Sequence, residues 1–111
     1  MSDDRGRVRE DFADAVNMTG RELRNWLQSS ESRSVGVAGD GGESVGHESG
    51  RRIVSILAKK QGELTDDDYA HMRKVVGYVH RHLAQRPSKE PIENSRWRYS
   101  LMNWGHDPCK T

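Results

Sequence analysis

The chain has 111 residues, with 18 Lys and Arg against 17 Asp and Glu for a net charge of +1, which is enough for one small domain and not for two. Leu, Ile, Val and Phe together number 19, a lean supply for a core, but disorder needs high net charge as well as low hydrophobicity, and here the charge is balanced. No apolar run approaches the roughly 18 residues of a membrane span, the charged N-terminal stretch is unlike a secretory signal, and Cys109 has no second cysteine to pair with, so an intracellular protein, cytoplasmic or nuclear, is expected.

The first apolar series is Val8, Phe12, Ala15 and Val16, whose spacing predicts a helix over 5–16. Met18-Thr19-Gly20-Arg21-Glu22-Leu23 then reads as a helix start. Thr19 is the N-cap, Glu22 completes a capping box, and Met18 with Leu23 can form a hydrophobic staple. This second helix runs over about 20–29 and buries Leu23, Trp26 and Leu27. Residues 28–50 hold six glycines and six serines, a composition that loses more chain entropy on ordering than burial returns. A flexible loop is expected over 30–49.

Ser49 is the next N-cap candidate, for a helix over about 50–60 with Ile53, Ile56 and Leu57 inside and Gly62 as its C′ glycine. Leu64-Thr65-Asp66-Asp67-Asp68-Tyr69 repeats the capping signal. The stripe Tyr69, Met72, Val76, Val79, Leu83 then gives the best-defined helix, over about 66–85. Gly77 inside it costs roughly 1 kcal/mol relative to Ala, so another helix is expected to approach there. A last helix over about 95–104 carries Trp97, Leu101 and Trp104 and stops at Gly105. The expected fold is all-α, about five short helices in one domain over 5–110. It consists of two helical hairpins (5–29 and 50–85) joined by the Gly/Ser-rich loop and closed by the C-terminal helix.

Several strings stand together: Val16-Asn17-Met18-Thr19, Trp26-Leu27, Val45-Gly46-His47-Glu48-Ser49-Gly50-Arg51-Arg52, Met72-Arg73-Lys74-Val75-Val76, Trp97-Arg98-Tyr99, and Gly105-His106-Asp107-Pro108. In this order they resemble the domain-of-unknown-function family DUF3140 over about residues 8–110. The His47-Glu48-Ser49-Gly50 form is most like that of fungal members. The family ending more often has Leu where this chain has Cys109, which makes Cys109 a small apolar substitute rather than a redox group. The resemblance implies no catalytic or ligand residues.

Gly42-Glu43-Ser44-Val45-Gly46 has the spacing of a serine-hydrolase elbow, which works only between a strand and a helix, and no strand is expected here. His80 and His82 are two apart on a helix and cannot share an ion, and structural zinc needs four ligands. His71 with Asp67 reads as a helix-surface pair. In the ending, His106 sits favourably by a helix C-terminus and Asp107 bonds its own turn. No cofactor, no metal and no enzymatic activity are expected.

Nucleic-acid binding has more support. Helices 5–16 and 20–29 follow one another across a tight turn, a helix-turn-helix-like layout. The outward face of the second would show Arg21, Arg24, Asn25 and Gln28, side chains whose donors and acceptors match guanine and adenine edges. Residues 51–98 carry a net +5, so Arg51, Arg52, Lys59 and Lys60 are candidate phosphate contacts. The pI of 8.0 is low for such a role. DNA is thus the expected partner. The alternative is a protein-interaction or assembly module using exposed aromatic residues.

Overall fold

The computed structural model describes residues 4–34, 45–86, 92–93 and 95–109. All regular structure among them is helical: α1 (Asp4–Ala15), α2 (Gly20–Leu27), α3 (Ser30–Ser34), α4 (Val45–Ala58), a 3-10 turn (Gln61–Glu63), α5 (Asp66–Leu83) and α6 (Arg96–Asn103). The all-α expectation holds.

Both capping boxes form. The Glu22 N–H donates to Thr19 Oγ1 at 3.1 Å and the Thr19 N–H to Glu22 Oε1 at 2.8 Å. The Asp68 N–H donates to Thr65 Oγ1 at 3.1 Å and the Thr65 N–H to Asp68 Oδ2 at 3.0 Å. Each reciprocal pair satisfies amides that an open helix end leaves without partners. Ser95 caps α6 in the same position, accepting from the Arg98 N–H at 3.1 Å.

Helices neighbouring in sequence are not the most closely packed. α1 lies against α5, and α2 lies against α4. α4 and α5 also touch, and α6 reaches α2, α3, α4 and α5. The α1–α5 seam buries Val8 and Phe12 with Met72, Val75 and Val79. At its open end the Arg5 guanidinium lies 4.7 Å from the Tyr69 ring centroid and pairs with Asp66, while Arg9 donates to the Tyr69 hydroxyl at 2.8 Å.

Gly50 sets the α2–α4 seam. A Cβ there would stand 2.7 Å from both the Asn103 carbonyl oxygen and Leu27 Cδ2, so only glycine lets these helices meet. Close approach was expected instead at Gly77, where a Cβ would meet only the guanidinium of Arg81 on the same helix.

Several other expectations are corrected. α3 and the first turn of α4 occupy the two ends of the segment read as a loop, and residues 35–44 between them lie outside the described set. Ser29 makes α3 possible by accepting from the Ser32 N–H at 3.1 Å. Ser49 is not an N-cap but a buried residue inside α4. Gly62 is in the 3-10 turn and Gly105 is the described glycine with positive φ, at +83°. Leu57 is 39 % exposed, Trp26, Val76 and Leu83 are half-buried, and Val75 is fully buried in their place.

The polar centre is Asn103, at 2 % exposure. Its Oδ1 accepts from Trp26 Nε1 at 2.7 Å and from the Ser32 hydroxyl, and its Nδ2 donates to the Ser32 carbonyl at 3.1 Å. One buried amide therefore joins α2, α3 and α6 with its hydrogen-bonding groups satisfied, as burial requires.

Candidate nucleic-acid interface

α2 is held to the body by Leu23 and Leu27, and its other face is open. Arg21, Arg24, Asn25 and Gln28 are all exposed there, as the spacing predicts. α4 crosses beneath, and the gap between the two helices forms a concavity of about 470 Å³. Arg24 of α2 and Gln28 at its C-cap line it, with Arg33 of α3 and Arg51 and His47 of α4. Leu27 and Val54, buried and half-buried, supply its apolar floor. Among the described residues no carboxylate pairs with Arg24 or Arg33.

The other sequence-predicted residues lie elsewhere. Arg52 follows Arg51 by about 100° around the helix and turns to α5. There it lines a second concavity of about 340 Å³ with Asp67, Ala70, His71 and Lys74. Lys59 Nζ lies 2.6 Å from Asp68 Oδ2, an ion pair between the end of α4 and the start of α5. The Lys59 hydrogen bond and the Thr65 amide hold the Asp68 carboxyl below its usual value. Lys60 is exposed beside the 3-10 turn, where its N–H donates to Glu63 Oε1 at 2.9 Å. The eight residues thus separate into a cluster (Arg24, Gln28, Arg51), two neighbours on α2 (Arg21, Asn25), and three cations around the α4–α5 junction.

Arg33 and His47 were missed because both fall in the segment read as a loop. The signal available was Ser29, three residues before Ser32, which opens α3 as a side-chain cap.

His71 is not a surface partner of Asp67. It is half-buried, with Nε2 2.9 Å from Ser49 Oγ. Burial lowers its pKa, and the charges of Arg52 and Lys74 lower it further, which keeps the imidazole neutral near pH 7. Its ring begins a stack of near-parallel rings. His71 to Trp104 is 6.2 Å between centroids, Trp104 to Tyr78 4.2 Å, Tyr78 to His82 5.1 Å, and His82 to Trp97 6.1 Å. Burial also lowers the pKa of His82.

The Gly-His-Asp-Pro ending is structural in its contacts. The Gly105 carbonyl accepts from the Asn17 and Met18 amides at 3.1 and 3.2 Å. The Asn17 side chain donates to the Asp107 carbonyl at 2.9 Å and accepts from the Asp107 N–H at 2.7 Å. His106 Nδ1 lies 2.7 Å from the Ala15 carbonyl. Asp107 does bond its own turn, through the Cys109 N–H at 3.0 Å, and also takes Arg98 as a two-pronged partner at 3.0 and 3.1 Å. Burial pushes the Asp107 carboxyl up, but the Arg98 guanidinium and the Cys109 amide outweigh it and hold it below its usual value. Cys109 is half-buried against the core, in keeping with an apolar role.

Among the described residues no group of three or more His, Cys, Asp or Glu is placed to hold a metal ion, and no helix is long and apolar enough to cross a membrane. Comparison with curated proteins and with solved structures gives no match. The family described as "Protein of unknown function (DUF3140)" matches over residues 11–102, from the middle of α1 to the last turn of α6. The chain belongs to the DUF3140 family.

Proposed function

We propose that this protein binds DNA, without catalysing a reaction, through the open face of α2 and the basic concavity that α2 shares with α3 and α4. One observation carries the reading: Arg24, Arg33 and Arg51 come from three different helices and line the same hollow. Arg24 and Arg33, which have no carboxylate partner among the described residues, leave positive charge in the hollow for a ligand that supplies negative charge. Guanidinium groups also match phosphate oxygens in two-pronged geometry. Arg21 and Asn25, exposed on the same helix, extend the surface toward base edges.

The reading differs from a helix-turn-helix in its support. α2 is braced by α4 rather than packed closely on α1, so phosphate contacts come from Arg51 of α4 and Arg33 of α3. Lys59 is not among them, because Asp68 holds it. A protein-interaction module is less well supported. Leu57 is the one large hydrophobic side chain exposed among the described residues, while Trp97 and Trp104 are buried in the ring stack and Trp26 is tied to Asn103.

The test is a titration of random-sequence duplex DNA at two salt concentrations. Phosphate contacts release counterions, so three contacts, at Arg24, Arg33 and Arg51, predict about a 40-fold loss of affinity between about 50 and about 200 mM salt. The double change Arg24→Ala, Arg51→Ala should weaken binding and flatten that dependence. No binding at the lower salt, or an unchanged salt dependence in the variant, overturns the proposal.

A further inference from the structure

The hollow between α2 and α4 has a feature that duplex phosphates do not use. Its floor, formed by Leu27 and Val54, is apolar, while its rim carries guanidinium groups and the Gln28 amide, with half-buried His47 beside them. A phosphate on a convex duplex needs only the rim, and would leave the floor uncovered. At about 470 Å³ the space is in the range of sites for small organic ligands.

We infer that this concavity is a nucleotide subsite, in which one unstacked base covers Leu27 and Val54 while Arg24, Arg33 and Arg51 hold its phosphate. The inference deepens the DNA-binding reading above and rests on it. A base has apolar faces and a polar edge. The faces match the floor, and the Gln28 amide, with both a donor and an acceptor, matches the edge. Guanidinium planes stack on bases as well as pairing with phosphates, which suits arginine rather than lysine at this rim. Bases in an intact duplex are stacked on their neighbours and cannot enter such a hollow, so the subsite selects single-stranded or locally opened nucleic acid. The same chemistry describes a free nucleotide, and the experiment separates the two sources.

The test measures fluorescence anisotropy on three labelled probes at about 50 mM salt. These are a single strand of about 12 nucleotides, the same length of abasic strand, and the corresponding duplex. The abasic strand keeps the phosphates and removes the rings. The single strand should bind about fivefold or more tightly than either of the others, the gain that burying roughly 40 Å² of apolar surface supports. Gln28→Ala, on an exposed position, should shrink the difference between single and abasic strands. Arg33→Ala should weaken all three.

Adenosine monophosphate should displace the single strand at millimolar concentration, and inorganic phosphate at the same concentration should not. If the mononucleotide binds as tightly as the strand, the subsite stands and its ligand is the free nucleotide. Equal binding of single, abasic and duplex probes overturns the subsite but leaves the DNA-binding reading in place. Displacement by inorganic phosphate as effective as that by the nucleotide also overturns it. Absence of binding by all three probes and by the mononucleotide overturns both.

Discussion

Single residues decide how closely these helices pack, and two glycines make the point in opposite directions. Gly50 has the Asn103 carbonyl and the Leu27 side chain where a Cβ would stand, and the carbonyl is backbone that cannot swing away. Gly50→Ala should therefore destabilise by about 3 kcal/mol, as overpacking at a seam does. Gly77 has only the tip of Arg81 nearby, so Gly77→Ala should gain up to about 1 kcal/mol of helix propensity. Denaturant unfolding of both variants checks the pair, and equal effects of the same sign contradict it.

The half-buried imidazoles of His71 and His82 set a pH dependence. His71 and His82 both titrate below their ordinary value of 6.5 because burial disfavours the charged form. In the unfolded chain they take up protons near 6.5, before the folded chain does. Their contribution is complete above that pH and is lost as pH falls from it toward the folded-state values. Thermal midpoints recorded from about pH 8 down to about pH 5 should decline below about 6.5. The variant His71→Gln should decline less. A flat profile across this window contradicts the assignment.

At the scale of elements, what could be read from the sequence was local chemistry. The Thr19 and Thr65 caps are three-residue patterns that satisfy helix amides without help from the rest of the chain, and both boxes form as the spacing implies. The segment around α3 and the start of α4 failed for a physical reason. Its Gly and Ser content predicts no helix alone, yet α4 begins early because α6 lies beside it. Gly46 stands where a Cβ would be 3.4 Å from Trp104 Nε1 and 3.6 Å from the Asn103 side chain. Tertiary contact there overrides propensity.

The C-terminal ending is similar. Its residues suggest a turn, but that this turn fastens to Asn17 follows only once the α1–α2 turn meets the end of α6. Asp107→Ala removes the partner of a half-buried Arg98 and should cost about 2 kcal/mol in denaturant unfolding. A loss too small to resolve would contradict a clamping role.

For the whole molecule, the candidate interface was half legible. Spacing along α2 correctly gave an exposed face with Arg21, Arg24, Asn25 and Gln28, because one helix turn is enough to know which side faces out. Spacing could not tell that adjacent Arg51 and Arg52 line two different concavities, or that Lys59 would meet Asp68 across a 3-10 turn. Nor could it bring Arg33 to Arg24, which requires α3 to form and Asn103 to anchor it.

The proposed DNA binding would place nucleic acid on the surface built by α2, α3 and the first half of α4. The most direct measurement is backbone amide shift mapping by NMR as unlabelled DNA is added to the isotope-labelled protein. The perturbed amides should cluster at Arg24, Gln28, Arg33 and Arg51 and leave the outer face of α1 unchanged. Perturbations centred on α1 and α5, or none at DNA concentrations that saturate binding in the titration, would contradict that placement.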